Sequence, residues 1–414
     1  MFEPIIRTLM DIDFYKFTMG HLIFLIPSYR RLRVKFAFRN RTPGVALADI
    51  MSEEALRWQL DQAMTLRFNN SDLHYLRGTN EYGRRMFDEQ YLEFLRGYSL
   101  PSYHLERSGD TYVLEFEGPW AEVTYWETIA LAIINELYTQ AMISGFSSFD
   151  QDVVMAEGRM RLADKISRLR AAPFDLTLSD FGTRRRWSRF WQEYVVRTLA
   201  EELPRHLLGT SNTWLAMKLG LLPMGTSAHE LPMAVSGLFH DSDEGILHSQ
   251  MQVLDDWWEL YGEGLSIALP DTYGTESFFR AMGEKRARDW KGTRQDSGDP
   301  FEIGEMTIAF YEGLGIDPKD KLLVFSDGLD VDTILALFER FQGRIRPTFG
   351  WGTNLTNDLG IKPLSLVIKV VESNGHGTVK LSDNLAKAIG TSDDVERFKH
   401  IFGYTKNTYT PVTY

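Results

Sequence analysis

The apolar and polar positions of the first hundred residues follow two periods. Val34, Phe36 and Phe38 alternate with Lys35, Ala37 and Arg39, as in a strand with one buried face. Tyr112-Val113-Leu114-Glu115-Phe116-Glu117 predicts a second strand of the same kind. Between them, residues 52–98 keep a helical period, with Leu56, Leu60, Ala63 and Met64 on one face. An α+β region over 1–125 follows. Trp126 to Met142 is strongly apolar and predicts a buried helix.

After that helix the chain iterates: a short apolar run, a polar or Gly-rich turn, an amphipathic helix. Phe174 to Leu178 leads to Ser179-Asp180-Phe181-Gly182-Thr183-Arg184, and His206-Leu207-Leu208 to Gly209-Thr210-Ser211-Asn212. Gly220 to Met224 leads to Gly225-Thr226-Ser227-Ala228-His229-Glu230, and Leu265 to Leu269 to Pro270-Asp271-Thr272-Tyr273-Gly274. A weaker run, Ala287 to Trp290, leads to Arg294-Gln295-Asp296-Ser297-Gly298-Asp299. Leu322 to Phe325 leads to Ser326-Asp327-Gly328, and Ile345 to Phe349 to Gly350-Trp351-Gly352-Thr353.

Alternation of this kind implies parallel βα units, and so many in about two hundred residues suggest a barrel or near-barrel over 126–363. An open doubly wound sheet is the alternative. Eight clean strand signals are not found, so a regular closed barrel is not established. In barrels, reactive residues gather on the loops after the strands, where these polar turns fall. Leu364 to Val371 predicts a last strand, Asn374-Gly375 a turn, and Val379 to Ser382 its partner. Residues 364–414 are expected to complete the N-terminal region.

The charge of −12 argues against a nucleic-acid surface but permits a local anion site. The chain has no Cys, which excludes disulfides, thiolate metal sites and a Cys nucleophile, and fits a reducing cytoplasm. Met1-Phe2-Glu3-Pro4 does not open a secretory signal, and Leu22 to Ile26 is too short to span a bilayer.

Each motif has a plain structural reading beside a chemical one. Gly350-Trp351-Gly352-Thr353-Asn354 and Ser326-Asp327-Gly328 are turns; together, on consecutive units, they suit backbone cradling of a phosphate. Asp299 before Pro300 reads as a helix N-cap. Just upstream, Asp296 could accept from ribose hydroxyls and Arg294 could bind a planar carboxylate. Arg184-Arg185-Arg186 is expected to start a helix carrying Trp187, Phe190, Trp191 and Val195 inward, where an anion would offset the unfavourable dipole. His229-Glu230 is no zinc motif, because Met233 stands at the second His position. On its loop His229 could be oriented by Asp271 of the next unit. Asp11-x-Asp13-x-Tyr15-Lys16 reads as a capped helix with Phe14, Phe17 and Leu22 inward. No Walker A sequence occurs. These readings reach an α/β barrel-like enzyme for a small phosphorylated anion.

The segments DIDFYKFTM, EGPWAEVTYWE, DFGTRRRWS, GTSNTWLA, PMGTSAHE, DTYGTESF, TRQDSGDP, FSDGLD, FGWGTNL and PLSLVIKVVESNG run in order from residue 11 to residue 375. This set resembles the nicotinate phosphoribosyltransferases of NAD salvage. The resemblance implies an irregular type II phosphoribosyltransferase barrel with an α+β domain. It also implies the reaction: nicotinate displaces pyrophosphate from 5-phosphoribosyl pyrophosphate, giving nicotinate mononucleotide.

In such enzymes ATP phosphorylates a histidine, which resembles His229, with Asp271 and Glu230 as candidates to orient it. Mg²⁺ would bridge substrate oxygens. Nicotinate would stack between Phe181 and a Tyr15 supplied by the neighbouring subunit of a homodimer. Arg294, helped by Arg184, resembles the carboxylate binder, and Asp296 the ribose-hydroxyl acceptor. Ser297, Gly298, Ser326, Asp327, Gly328, Gly350, Gly352 and Thr353 resemble the phosphate-binding turns. Nicotinamide-using relatives carry an Asp near the position of Ser211, so Ser211 favours the acid. Ala386 stands where many relatives have a Gly before Lys387, and that loop carries no assignment; Trp351 reads as packing. Rival readings are a nicotinamide- or quinolinate-type transferase, a silent homologue that binds without catalysis, and a generic barrel hydrolase.

Overall fold

The structure, a computed structural model, describes residues 3–80, 83–406 and 408–410. Met1 and Phe2 of the N-terminal stretch, and 411–414 of the C-terminal one, lie outside them. The strands are β1 (Arg33–Asn40), β2 (His104–Ser108), β3 (Thr111–Pro119), β4 (Leu178–Asp180), β5 (Leu207–Thr210), β6 (Leu222–Pro223), β7 (Ile267–Ala268), β8 (Gly292–Gln295), β9 (Leu322–Phe325), β10 (Arg346–Trp351), β11 (Leu366–Ser373) and β12 (His376–Gly377).

The alternation in β1 and β3 puts Val34, Phe36, Phe38, Tyr112, Leu114 and Phe116 inside. Burying that face requires partners on both sides of β1, and they come from both ends of the chain. The antiparallel sheet runs β12-β11-β1-β3-β2, with Phe36 opposite Phe116 and Val370. Asn374 and Gly375, both at positive φ, make the turn from β11 to β12. Residues 379–382 do not extend that hairpin. They cross to the other sheet, where the amides of Leu381 and Ser382 donate to Thr272 O. This crossing carries Lys380 out of the antiparallel layer.

The second sheet is all parallel, in the order β6-β5-β4-β10-β9-β8-β7. It curls but does not close, because β6 and β7 remain edges. Between them the chain inserts the helices Glu230–Ser236 and Asp243–Tyr261. Pro223 in β6 lacks a ladder donor, which suits an edge. The result is a half-barrel of seven strands beside a separate antiparallel sheet.

The fifth parallel strand lies two residues later than the apolar run at Ala287 to Trp290. Ala287 ends the helix Thr275–Asp289, and the strand is Gly292–Gln295. Its buried positions are Thr293 and Gln295, so hydrophobicity does not mark it. Gly292 is required there, since a Cβ would stand 1.8 Å from Leu322 O.

The helix Trp126–Ile143 is buried along most of its length, in the same core as the N-terminal helices and β1, β3 and β11. A second core fills the space between the half-barrel and its outer helices, from Leu162 to Leu359. No helix among the described residues is long and apolar enough to cross a membrane.

Candidate active site

The ends of β4, β8, β9 and β10 point their following turns at the antiparallel sheet, and a cavity lies between. Phe181 and Arg184 reach it after β4, Arg294 and Asp296 from β8, Ser326 to Gly328 after β9, and Gly352 and Thr353 after β10. The opposite wall is Tyr15, Arg41, Glu127 and Lys369, with Lys380 and Lys387 from the crossing segment. Counted over both walls, seven Arg and Lys side chains line the cavity with three carboxylates, in a chain of charge −12. Such local inversion of charge marks an anion site.

His229 sits at the inner end, 3% exposed. Its Nε2 lies 2.8 Å from Asp271 Oδ1 and 3.7 Å from Asp296 Oδ2. Asp271 Oδ2 accepts from Ser297 Oγ at 2.6 Å and lies 3.5 Å from Lys380 Nζ. Nε2 is therefore committed, and Nδ1 has no hydrogen-bond partner among the described residues. Burial and the nearby Lys380 cation push the imidazole down to about 4. Burial alone would raise Asp271, but Lys380 and His229 hold it well below the ordinary carboxylate range. A neutral ring hydrogen-bonded to an anionic carboxylate is an arrangement in which the carboxylate can orient the imidazole.

Asp296 is fixed by several groups. Ser326 Oγ donates to its Oδ1 at 3.0 Å, Arg294 Nη1 stands 3.7 Å away, and Lys387 Nζ donates to its backbone carbonyl at 3.2 Å. Against burial, Arg294 and His229 keep it ionised. Lys387 also pairs with Asp327 Oδ1 at 2.5 Å. Arg294 is poorly satisfied: Nη2 reaches Ser227 O at 3.5 Å and its buried Nε has no hydrogen-bond partner among the described residues. A buried guanidinium left this way is prepared for an acceptor from outside the chain.

Beside Arg294 the cavity continues into a recess lined by Asp13, Tyr15, Phe181, Arg184, Ser211, Met224 and the turn Gly225 to Ser227. Phe181 is seated by Gly350, where a Cβ would come within 2.2 Å of the ring. Asp180 secures the same turn, accepting from Gly182 N, Gln192 Nε2 and Thr210 Oγ1. The recess thus sets the ring of Phe181 and the ring of Tyr15 beside two guanidinium groups, Arg184 and Arg294.

A sequence model of the nicotinate phosphoribosyltransferase family matches residues 176–406, and one of that family's N-terminal domain matches residues 10–135. The chain belongs to this family. The nicotinate phosphoribosyltransferase of Porphyromonas gingivalis is 30% identical and superposes with a TM-score of 0.83 over 96% of this chain and 100% of its own. That of Vibrio cholerae is 31% identical, with a TM-score of 0.84 over 98% of this chain and 95% of its own. The half-barrel with its separate sheet is thus the fold of nicotinate phosphoribosyltransferases, and the chain is a phosphoribosyltransferase of NAD metabolism.

Within that family frame, Tyr15, Phe181, Arg184, His229, Arg294, Asp296, Ser326, Asp327, Gly328, Gly352 and Thr353 line one cavity. Ser211 lines the recess, and Asp271 stands behind His229. Other expectations need correction. Glu230 does not orient His229: it turns away into the N-terminal core, accepting from Lys16 Nζ, Trp120 Nε1 and Thr124 Oγ1. Ser297 is buried and serves Asp271 rather than a phosphate. Gly298 answers a backbone need, with φ +77° and its carbonyl accepting from Gln295 Nε2. Gly350 is the seat of Phe181, not part of the cavity wall.

Tyr15 lines the cavity of its own chain, so this position is filled without a neighbouring subunit. The reason lies just upstream: Phe14 N donates to Ser211 O, and Asp11 accepts both Arg186 and Asn212. Asp11 and Asp13 therefore cap no helix. The helix Tyr15–Leu25 starts after Phe14 without a side-chain cap. Arg186, fully buried against Asp11, belongs to no solvated face. Only Arg184 and Arg185 of the triplet lie in a 3-10 turn, Thr183–Arg185; Arg186 is extended, and the helix begins only at Arg189 with Ser188 as cap and Phe190 outward.

The residues missed from sequence are Arg41, Glu127, Lys369, Lys380 and Lys387. Two carried a signal. Glu127 stands at the start of a mostly apolar buried helix, and Lys369 in a strand buried on both faces. A charge in such a setting needs a partner, and these two find each other at 2.8 Å.

Proposed function

We propose that the protein forms nicotinate mononucleotide and pyrophosphate from nicotinate and 5-phosphoribosyl pyrophosphate, driven by ATP through a phosphohistidine at His229. The observation that carries this reading is one cavity that joins a cation-rich wall, an aromatic recess with an under-satisfied arginine, and an imidazole whose Nδ1 has no hydrogen-bond partner among the described residues.

Nicotinate enters the recess between Phe181 and Tyr15, its carboxylate meeting Arg294 and Arg184. The phosphoribosyl group lies across the turns 326–328 and 352–353, and Asp296 accepts from ribose hydroxyls. Lys369, Lys380, Lys387 and Arg41 neutralise the pyrophosphate. Nδ1 of His229 attacks the γ-phosphoryl group of ATP, ADP leaves, and Asp271 holds the Nε2 proton throughout. Of the carboxylates near His229, both oxygens of Asp271 are occupied, whereas Asp296 Oδ2 has no hydrogen bond. Asp296 is thus the protein group that would meet Mg²⁺, the other ligands being water and substrate oxygens. The metal would neutralise the pyrophosphate oxygens. A homodimer and a cytoplasmic setting accord with this reading, although the dimer is not needed to supply Tyr15.

Steady-state assay with nicotinate, nicotinamide and quinolinate tests the substrate. Nicotinate is expected to be used at a kcat/KM at least about 100-fold above the others. Preference for nicotinamide or quinolinate would overturn the reading.

The pH profile gives a further expectation. His229 is neutral above its lowered value of about 4, and only the neutral ring attacks. ATPase kcat/KM should therefore persist as pH falls through 6.5 and fail only toward 4–5. The same depression means this group's contribution to stability is present above 6.5 and fades as pH falls toward 4. Lys380→Met should move the acid limb upward. An acid limb near 6.5 in the unaltered enzyme would contradict the assigned protonation state.

A further inference from the structure

Residues 408–410 contribute nothing to either core. All three are exposed, Tyr409 at 71%. They are nonetheless fastened closely to one loop. Leu385 N donates to Thr408 O at 2.9 Å. Asn384 pairs with Thr410 in both directions, its Oδ1 accepting the Thr410 amide at 3.0 Å and its Nδ2 donating to Thr410 O at 2.8 Å. Nearby, Tyr404 Oη donates to Ser382 O at 2.7 Å. Ser382 has φ +65°, a conformation that needs its surroundings to hold it.

That loop is the Leu385–Lys387 turn, whose Lys387 reaches Asp327 and the carbonyl of Asp296 in the active site. Other supports hold the same loop: Lys380 and Ile389 pair across its base, and Asp383 N donates to Ser297 Oγ. The amides of Lys387 and Ala388 close the turn on Asn384 O and Leu385 O, Ala386 N donates to Asn384 Oδ1, and Arg41 donates to Lys387 O. Asn384 is thus the junction: one oxygen caps the turn and receives the Thr410 amide. A lysine side chain is long and flexible, so its ammonium is only as well placed as the backbone that carries it. Pre-placing that cation reduces the ordering cost of binding an anion.

We propose that residues 408–410 are a brace that positions Lys387 for the pyrophosphate-bearing substrate. The inference rests on the reading of the cavity as a pyrophosphate site, and a binding measurement separates the two. Affinity for inorganic pyrophosphate with magnesium is measured by calorimetry on the full chain, on Thr410→Pro, which removes the amide that Asn384 accepts, and on a chain ending at Lys406. Both altered proteins are expected to bind about tenfold more weakly, with melting temperatures within about 2 °C of the full chain. In turnover, KM for 5-phosphoribosyl pyrophosphate should rise in parallel while KM for nicotinate stays within twofold. Tyr409→Ala should change nothing. If the full chain binds pyrophosphate and the altered proteins bind it equally well, the brace is wrong. It is equally wrong if both KM values and the melting temperature shift together, since that is general loosening. Failure of the full chain to bind pyrophosphate would remove the cavity reading and the brace with it.

Discussion

His229→Ala abolishes nicotinate-stimulated ATP hydrolysis, to less than about one-thousandth of the normal rate, yet leaves slow formation of nicotinate mononucleotide without ATP. The expectation follows from where the ring stands. Its Nε2 is tied to Asp271, and among the described residues no group hydrogen-bonds its Nδ1. Removing the ring deletes the phosphoryl acceptor but leaves the recess, Arg294 and the cation wall in place. Asp271 keeps Ser297 and Lys380, so the alanine protein should stay folded. Paired assays of phosphate release and mononucleotide formation check this. Equal loss of both activities in a protein with an unchanged melting curve would assign His229 to substrate binding or architecture instead.

Arg294→Ala raises KM for nicotinate roughly 10- to 100-fold, corresponding to about 1.5–3 kcal/mol for a hydrogen bond to a charged group. Among the described residues Arg294 has a 3.5 Å contact with Ser227 O and a 3.7 Å approach to Asp296, and its buried Nε has no hydrogen-bond partner there. A guanidinium that contributes little to its own fold is available for the ligand. The loss should be specific: KM for ATP is expected to change little. Arg294→Lys should recover only part, because an ammonium cannot offer the paired donors that a carboxylate accepts. Steady-state kinetics varying one substrate at a time decide it. An unchanged nicotinate KM would remove Arg294 from the recess.

Much of this architecture is legible in the chain because it rests on local patterns. The alternation in β1 and β3 and the turns after the parallel strands are physical consequences of residues close in sequence. Where signals faded, the cause was tertiary. β8 buries Thr293 and Gln295 rather than aliphatic residues, so its apolar pattern is absent. The local pattern pairs residues 379–382 with the nearest strand, whereas the structure sends them to Thr272.

The active-site turns could be found by their Gly, Asp and Ser content, but not which way each side chain faces. Glu230 and His229 are neighbours in sequence and point to different layers. Gly350 and Gly352 look alike in sequence, yet one seats Phe181 and the other faces the cavity. Asp11 and Arg186, 175 positions apart, meet fully buried, and no local rule anticipates that pair. The cations of the opposite wall were hidden for the same reason. Lys380 and Lys387 each sit between apolar neighbours, Val379 and Leu381 or Ala386 and Ala388, and reach the cavity only through the crossing between the two sheets.

Incubation with γ-labelled ATP, followed by digestion and mapping, tests the phosphoryl-carrying imidazole directly. The expected result is an acid-labile, base-stable label on the peptide containing His229, formed with ATP alone and discharged when nicotinate and 5-phosphoribosyl pyrophosphate are added. Brisk nicotinate-dependent ATP hydrolysis with no such label, or with the label on another residue, would contradict it.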